Sequence, residues 1–193
     1  FQYRAMVTTL LYSGMRRGEL CGLEWDDVDF QNRLIHVNRN AVYIPGKGTA
    51  DGTTKTENSE RVMKLPPVVM DLLEEQRRKQ TEQRLLMGDR WNDSRKVFTQ
   101  PNEKPICMSS LSKWIKRFSV SLGLPPITAH SLRHTNATLL IAGGTNIRTV
   151  AGRLGHASPS TTGNIYSHAI KTADEIAADS LDALLNPAGY RHA

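Results

Sequence analysis

Hydrophobic periodicity divides this chain unevenly, and the division limits what it can fold into. From Pro66 onward several long segments carry apolar residues every three or four positions, the period of an amphipathic helix. Between Asp26 and Leu65 the pattern shortens toward the alternation of strands. Ahead of that, "YRAMVTTLLYSG" reads as a helix stopped by Gly14, and "MRRGELCGL" as a shorter one. "DDVDFQNRLIHVNRN" reads as a hairpin turning at Gln31 and Asn32, and "RVMKLP" as a third strand. "YIPGKGTADGTTKTENSE", between them, reads as a long polar loop. Pro67 suits a first helical turn, and "VVMDLLEEQRRKQTEQRLL" after it carries i, i+4 charge pairs. "SSLSKWIKRFSVSLG" has a serine cap, with Leu111, Trp114, Ile115 and Phe118 at helical spacing. A helix follows over 129–142, with Thr128 as its cap and Gly143-Gly144 as its stop. "NIRTVAGRLG" and "TADEIAADSLDALL" complete the series. The expected fold is mainly α, with a small three-stranded antiparallel β-sheet.

A chain of 193 residues holds one domain with a sizeable core. Its net charge of +6 favours a polyanionic partner, and its 6% aromatic content disfavours a stacking platform for single strands. Cys21 and Cys107 stand 86 positions apart in no pairwise motif, which disfavours a disulfide framework or a cysteine zinc site and fits a reducing cytosol. No apolar run reaches the roughly 18–20 residues that span a bilayer. The chain begins at Phe1 without an initiator Met and is read as a piece of a longer protein.

"TAHSLRHTNATLLIAGG" places His130, Arg133 and His134 on one face of its helix, because i+3 and i+4 are neighbours. Two histidines four apart can grip a metal, but a metal site needs a third ligand, and here the guanidinium in the same patch opposes a cation. Histidine beside arginine is better suited to an anion, pairing a proton-handling group with a planar phosphate clamp. A histidine packed with no task is the plainer alternative.

Taken together, "YSGMRRGEL", "TKTENSERVMKLP", "HSLRH", "RLGH" and a Tyr on the following segment resemble the catalytic domain of the tyrosine recombinase, or phage integrase, family. The likeness runs from about Leu10 to His168 and is greatest to integrases of bacterial conjugative transposons. It implies that Arg16 and Arg133 bind the scissile phosphate and that Glu19 supports the first of them. It implies further that Lys55 protonates the leaving group, that His130 and His156 complete the site, and that Tyr166 is the nucleophile. His156 and Tyr166 are ten positions apart, one more than in many members.

Rivals exist for several of these roles. Arg17 adjoins Arg16, Lys47 shares the loop of Lys55, and Tyr190 lies in a polar tail. Tyr12 and Tyr43 are read as core or sheet residues, and His134 as packing beside the site. "DDVD" at 26–29 is read as turn chemistry rather than a metal cluster.

The resemblance also implies duplex DNA as partner, no cofactor and no metal, a bacterial cytoplasmic location, and a synaptic tetramer on DNA in the full-length protein. The chain by itself is expected to be monomeric. Residues 1–170 are expected to form the catalytic domain and 171–193 a C-terminal helix and tail. That helix, with Ile176, Ala177, Leu181, Leu184 and Leu185 along one side, either docks on a neighbour or folds back. An N-terminal core-binding domain is expected outside this piece. Three other readings stay open: a type IB topoisomerase, a non-catalytic DNA-binding module, and a metal-dependent hydrolase built on His130 and His134.

Overall fold

The computed structural model describes residues 1–46, 48–53, 60–91, 94–100, 104–156, 158, 160, 162–163 and 167–185. Its helices are α1 (Gln2–Ser13), α2 (Arg17–Gly22), α3 (Pro67–Met87), α4 (Met108–Ser121), α5 (Ala129–Ala142), α6 (Ile147–Leu154) and α7 (Ser167–Leu185). Its strands are β1 (Val28–Asp29), β2 (Leu34–Val37), β3 (Arg39–Ile44), β4 (Gly48–Thr53) and β5 (Arg61–Lys64).

The three expected strands form one antiparallel sheet in the order β1-β2-β5, with Ile35 opposite both Val28 and Met63. Alternation along β2 sends Ile35 and Val37 into the core and His36 outward. The stretch read as a long loop is partly ordered instead. Residues 39–44 and 48–53 pair as a second, two-stranded sheet, with Gly46 and Gly48 at positive φ where the chain reverses. β4 carries "GTADGT", which has no apolar alternation. Its ladder rests on backbone bonds and on the turn, so a hydrophobic pattern could not reveal it.

The helices follow the sequence closely, because their stops and caps are local. Gly14 ends α1 in the left-handed region at φ 66. Thr128 caps α5, its hydroxyl accepting the Ser131 N–H at 3.0 Å, and Asn146 caps α6. α4 departs from expectation: it starts one residue ahead of Ser109 and Ser110, with Cys107 at the cap position and no side-chain cap bond. Leu111 and Ile115 of α4 are buried, whereas Trp114 lies in an aromatic stack between Tyr3 and Phe118.

One core cluster joins α1, α2, the three-stranded sheet, α3 and α4. A smaller one, Ala137, Ile141, Val150 and Leu154, clamps α5 to α6. That second cluster fixes where α6 ends, which matters for the site. α7 runs beside α5. Its Leu181, Leu184 and Leu185 are exposed, so this part of the apolar stripe does not fold back on the domain. The side chain of Ile176 lies outside the described residues. Among the described residues no helix is long and apolar enough to cross a membrane.

Candidate active site

The end of α6 organises the basic groups. A helix leaves its last carbonyls without intrahelical partners, and their aligned dipoles attract cations. Here Gly155 turns left-handed, and the backbone bonds His156 N–H to Ala151 O and Gly155 N–H to Gly152 O close a Schellman-type cap. The next three carbonyls each accept from a different arginine. Arg61 Nε donates to Arg153 O at 2.7 Å, Arg133 Nη2 to Leu154 O at 2.6 Å, and Arg16 Nη2 to Gly155 O at 2.9 Å. A Cβ at Gly155 would stand 2.9 Å from Arg61 Nη1 and 3.5 Å from Arg16 Nη1, so the two guanidiniums pass on a surface that only glycine leaves clear.

The end of α1 is closed in the same way. Its carbonyls Leu11 O and Tyr12 O accept from Asn136 and Arg153, and Gly14 O accepts from Arg133 Nη1 at 2.6 Å. Arg133, 4% exposed, therefore bridges two helix ends. Glu19 is also buried and binds both Arg16 (2.9 Å) and Arg61 (2.7 Å). Its carboxylate also accepts the Arg16 backbone N–H, which starts α2. Burial pushes the Glu19 carboxyl up, but the hydrogen bond and charge of Arg61, then the backbone and side-chain hydrogen bonds of Arg16, outweigh it and hold the group below the usual range.

Arg16, Arg133 and His130 line one open cleft of about 740 Å³, together with Arg17, Asn40 and Lys116. Arg17 reaches Ser112 Oγ at 2.6 Å, on the α4 side of that cleft. His130 and His134 meet edge to face, Nε2 to Nε2 at 2.7 Å, a bond in which one ring donates and the other accepts. Burial, then the charges of His130 and Arg133, lower the pKa of His134. His130 and His134 thus share a hydrogen bond, and no cluster of three metal-ligating side chains exists among the described residues.

His156 follows the carbonyl row, with Nδ1 2.8 Å from the hydroxyl of the buried Thr162. Burial pushes its imidazole down to about 4, helped by Arg133, Arg16, Arg61 and His134. The ring is neutral at pH 7. An unfolded histidine takes its proton near pH 6.5, so the stability gained by keeping this ring neutral is complete above pH 6.5 and is lost as the pH falls toward 4. His156→Gln is therefore expected to flatten the acid decline of Tm across that window. Thermal melts of the two proteins with equal slopes would show that the ring is not held neutral.

The fold thus brings Arg16, Glu19, His130, Arg133 and His156 to one region. Lys55 and Tyr166 lie outside the described residues, as do Lys47 and Tyr190. Tyr12 and Tyr43 are both exposed rather than in the core, Tyr43 on β3. Asp27 and Asp29 of "DDVD" serve structure: Asp27 accepts from Asn38 and Arg39, and Asp29 from Asn32. The sequence motifs assign Arg61 no role, although it ends the "TKTENSER" stretch. The signal was present, since period two along β5 puts Arg61 on the face of the buried Met63 while Val62, 55% exposed, points out. An arginine facing inward and a valine facing outward invert the usual strand pattern.

Comparisons with known proteins bear on the family and the fold. The model of the Phage integrase family matches residues 1–172. A tyrosine recombinase XerC-like protein of Caldanaerobacter subterraneus is 35% identical over 94% of this chain and 49% of its own length. The ICEBs1 integrase of Bacillus subtilis is 32% identical over 95% of this chain and 49% of its own length. The chain thus spans about half the length of these curated relatives. The Tn1549 transposon integrase, solved with circular intermediate DNA, superposes with a TM-score of 0.75 at 24% identity, covering 92% of this chain and 59% of that one. The XerA recombinase superposes at 0.68 and 27% identity, covering 93% of this chain and 56% of that one.

Proposed function

Since the chain belongs to the phage integrase family, we propose that it is the catalytic portion of a site-specific tyrosine recombinase that cuts and rejoins duplex DNA of a mobile element. The observation that carries this reading is the pairing of Arg16 and Arg133 on consecutive carbonyls at the end of α6, both lining one cleft with His130. Two fixed guanidiniums facing a cleft suit a phosphodiester whose non-bridging oxygens gain charge during displacement. They remain charged at any working pH, so they can take the part that metal ions play in many phosphoryl-transfer sites.

In this reading the phenol oxygen of Tyr166 attacks phosphorus and the bond to the 5′ oxygen breaks. The enzyme is left joined to a 3′-phosphate, and a 5′-hydroxyl departs. His130 takes the phenol proton, and its shared bond with His134 supports a ring that gains or gives a proton. Lys55 protonates the departing oxygen. His156, neutral beside the arginines, donates or accepts a hydrogen bond without adding charge. Attack by the 5′-hydroxyl of another strand reverses the chemistry and completes exchange. Bond energy is kept in the covalent intermediate, so no nucleotide cofactor is called for, and with the arginines meeting the phosphoryl charge no metal is called for either.

In this reading the catalytic unit runs to about residue 170, where α7 (Ser167–Leu185) has already begun, and 171–193 carry the rest of that helix and the C-terminal residues. The full-length protein, so read, carries a further, N-terminal DNA-binding domain and works as a tetramer on DNA in the bacterial cytoplasm; its relatives are about twice as long as this chain. The exposed leucines of α7 would then meet a neighbouring protomer. By itself this portion is a monomer that binds DNA weakly.

The test is a trapped adduct. The full-length protein is mixed with a pool of nicked duplexes, and DNA that remains attached in denaturant is sequenced. We expect a 3′-phosphotyrosyl bond at a recurrent sequence, and transfer of the cut strand to a second duplex. DNA binding without any adduct would leave the non-catalytic module as the better reading. Adducts formed without sequence preference and without strand transfer, with relaxation of a separate closed-circular supercoiled plasmid, would favour the topoisomerase.

A further inference from the structure

We propose that Arg61 is a positioning residue for the reaction: through Glu19 and the end of α6 it fixes the orientation in which Arg16 meets the scissile phosphate. The inference rests on the recombinase reading above. Arg61 donates to Glu19 and to Arg153 O, and both contacts converge on the setting of Arg16. Its Nη2 and Nη1 grip both carboxylate oxygens of Glu19, at 2.7 and 3.2 Å. Its Nε holds Arg153 O, two carbonyls before the one that holds Arg16. Glu19 Oε1 is shared by Arg61 and Arg16. Arg61 thus aims the carboxylate and steadies the peptide, and these are the two acceptors that set the Arg16 head group.

Burial separates the roles of the two arginines. The side chain of Arg16 is 45% exposed and lines the cleft with His130 and Arg133. That of Arg61 is 8% exposed and lines instead the neighbouring pocket on the β5 and His156 side. Arg61 stands behind Arg16 and does not share the cleft where phosphate would lie. A lone buried Glu19 would also be a loose anchor, because one carboxylate facing one half-exposed arginine can rotate. The two-oxygen grip from the strand side removes that freedom.

The charge on the scissile phosphate provides a readout that a purely structural role would not move. The full-length protein is used in single-turnover cleavage of a nicked duplex carrying the sequence recovered by adduct trapping. One substrate has the natural phosphate. The other has a methylphosphonate there, in which a methyl group replaces a charged oxygen. Arg16→Ala serves as reference and is expected to lose rate on the phosphate and regain it on the neutral substrate. Arg61→Gln and Arg61→Lys are expected to slow cleavage of the phosphate roughly 10–100-fold, the range for groups that orient a functional residue. On the methylphosphonate their deficit should shrink to about threefold or less, and in an Arg16→Ala background they should add about threefold or less, as residues acting through one another do.

Arg61→Lys keeps a cation beside Glu19 and so guards against a variant that fails to fold. If both variants unfold, Arg61 is a structural residue and the inference fails. It fails too if Arg61→Lys cleaves like wild type, is slowed equally on both substrates, or multiplies the Arg16→Ala deficit. In those cases the recombinase reading stands, provided Arg16→Ala behaves as described. If Arg16→Ala itself cleaves normally, the phosphate role of Arg16 falls, and the positioning role of Arg61 falls with it.

Discussion

Tyr166→Phe is expected to abolish covalent attachment to DNA while leaving binding intact. The substitution removes one oxygen and keeps the ring. In nucleophilic catalysis the loss of the attacking atom alone costs on the order of 10⁴–10⁶ in rate, because no other group takes its place in the displacement. Binding should survive, since the cations that face the cleft come from the turn before α2 and from α2, α4 and α5, and the substitution leaves them in place. A gel in denaturant reads the first effect, and retention of the intact duplex reads the second. If a phosphotyrosyl adduct persists in the variant, another tyrosine attacks, with Tyr190 the first to examine.

Removing Arg133 should damage both chemistry and fold. Its guanidinium holds Gly14 O and Leu154 O, each at 2.6 Å, and is almost wholly buried. Loss of one preorganised donor to a charge-developing oxygen typically costs about 10²–10³ in rate, and Arg133→Ala is expected to lose at least that. The same change leaves two helix-end carbonyls without their partner, at about 2–3 kcal/mol of stability in all. Arg133→Lys keeps the charge but cannot fork between the two acceptors, so it should recover part of the Tm and little of the cleavage rate. Melting curves and single-turnover cleavage would separate the two losses. A stable Arg133→Ala that cleaves within about threefold of wild type would remove Arg133 from the phosphate site.

The sequence made the helices legible because their signals are local. Thr128 as a cap and Gly14 as a stop act within a few residues of their own positions. The β3–β4 hairpin escaped because its second strand is made of small polar residues and its register is a matter of backbone bonds. The serine cap on α4 failed for a related reason: two serines near a helix start can also sit inside its first turn, as Ser109 and Ser110 do. Arg16, Arg133, His130 and His156 could be named from motif likeness, but their partners could not. Those partners are mostly main-chain carbonyls, which look the same at every position in a sequence. Glu19 was legible as a support for Arg16, whereas the buried bond from Arg61 that completes it was not, since it crosses 42 positions.

The acceptors for three arginines at Arg153, Leu154 and Gly155 are consecutive main-chain carbonyls. Successive Cα atoms across a trans peptide are always about 3.8 Å apart. Arginines from a strand, a helix and a turn, separated by as many as 117 positions, are therefore spaced by bond lengths rather than by how well the core is packed. Core substitutions can shift whole helices by tenths of an ångström and still leave this ruler unchanged. An insertion inside the row would move the arginines out of step together. Drift in the hydrophobic interior is thus decoupled from the spacing of the charges, and a protein built this way can exchange most of its core while its cationic site keeps the same dimensions.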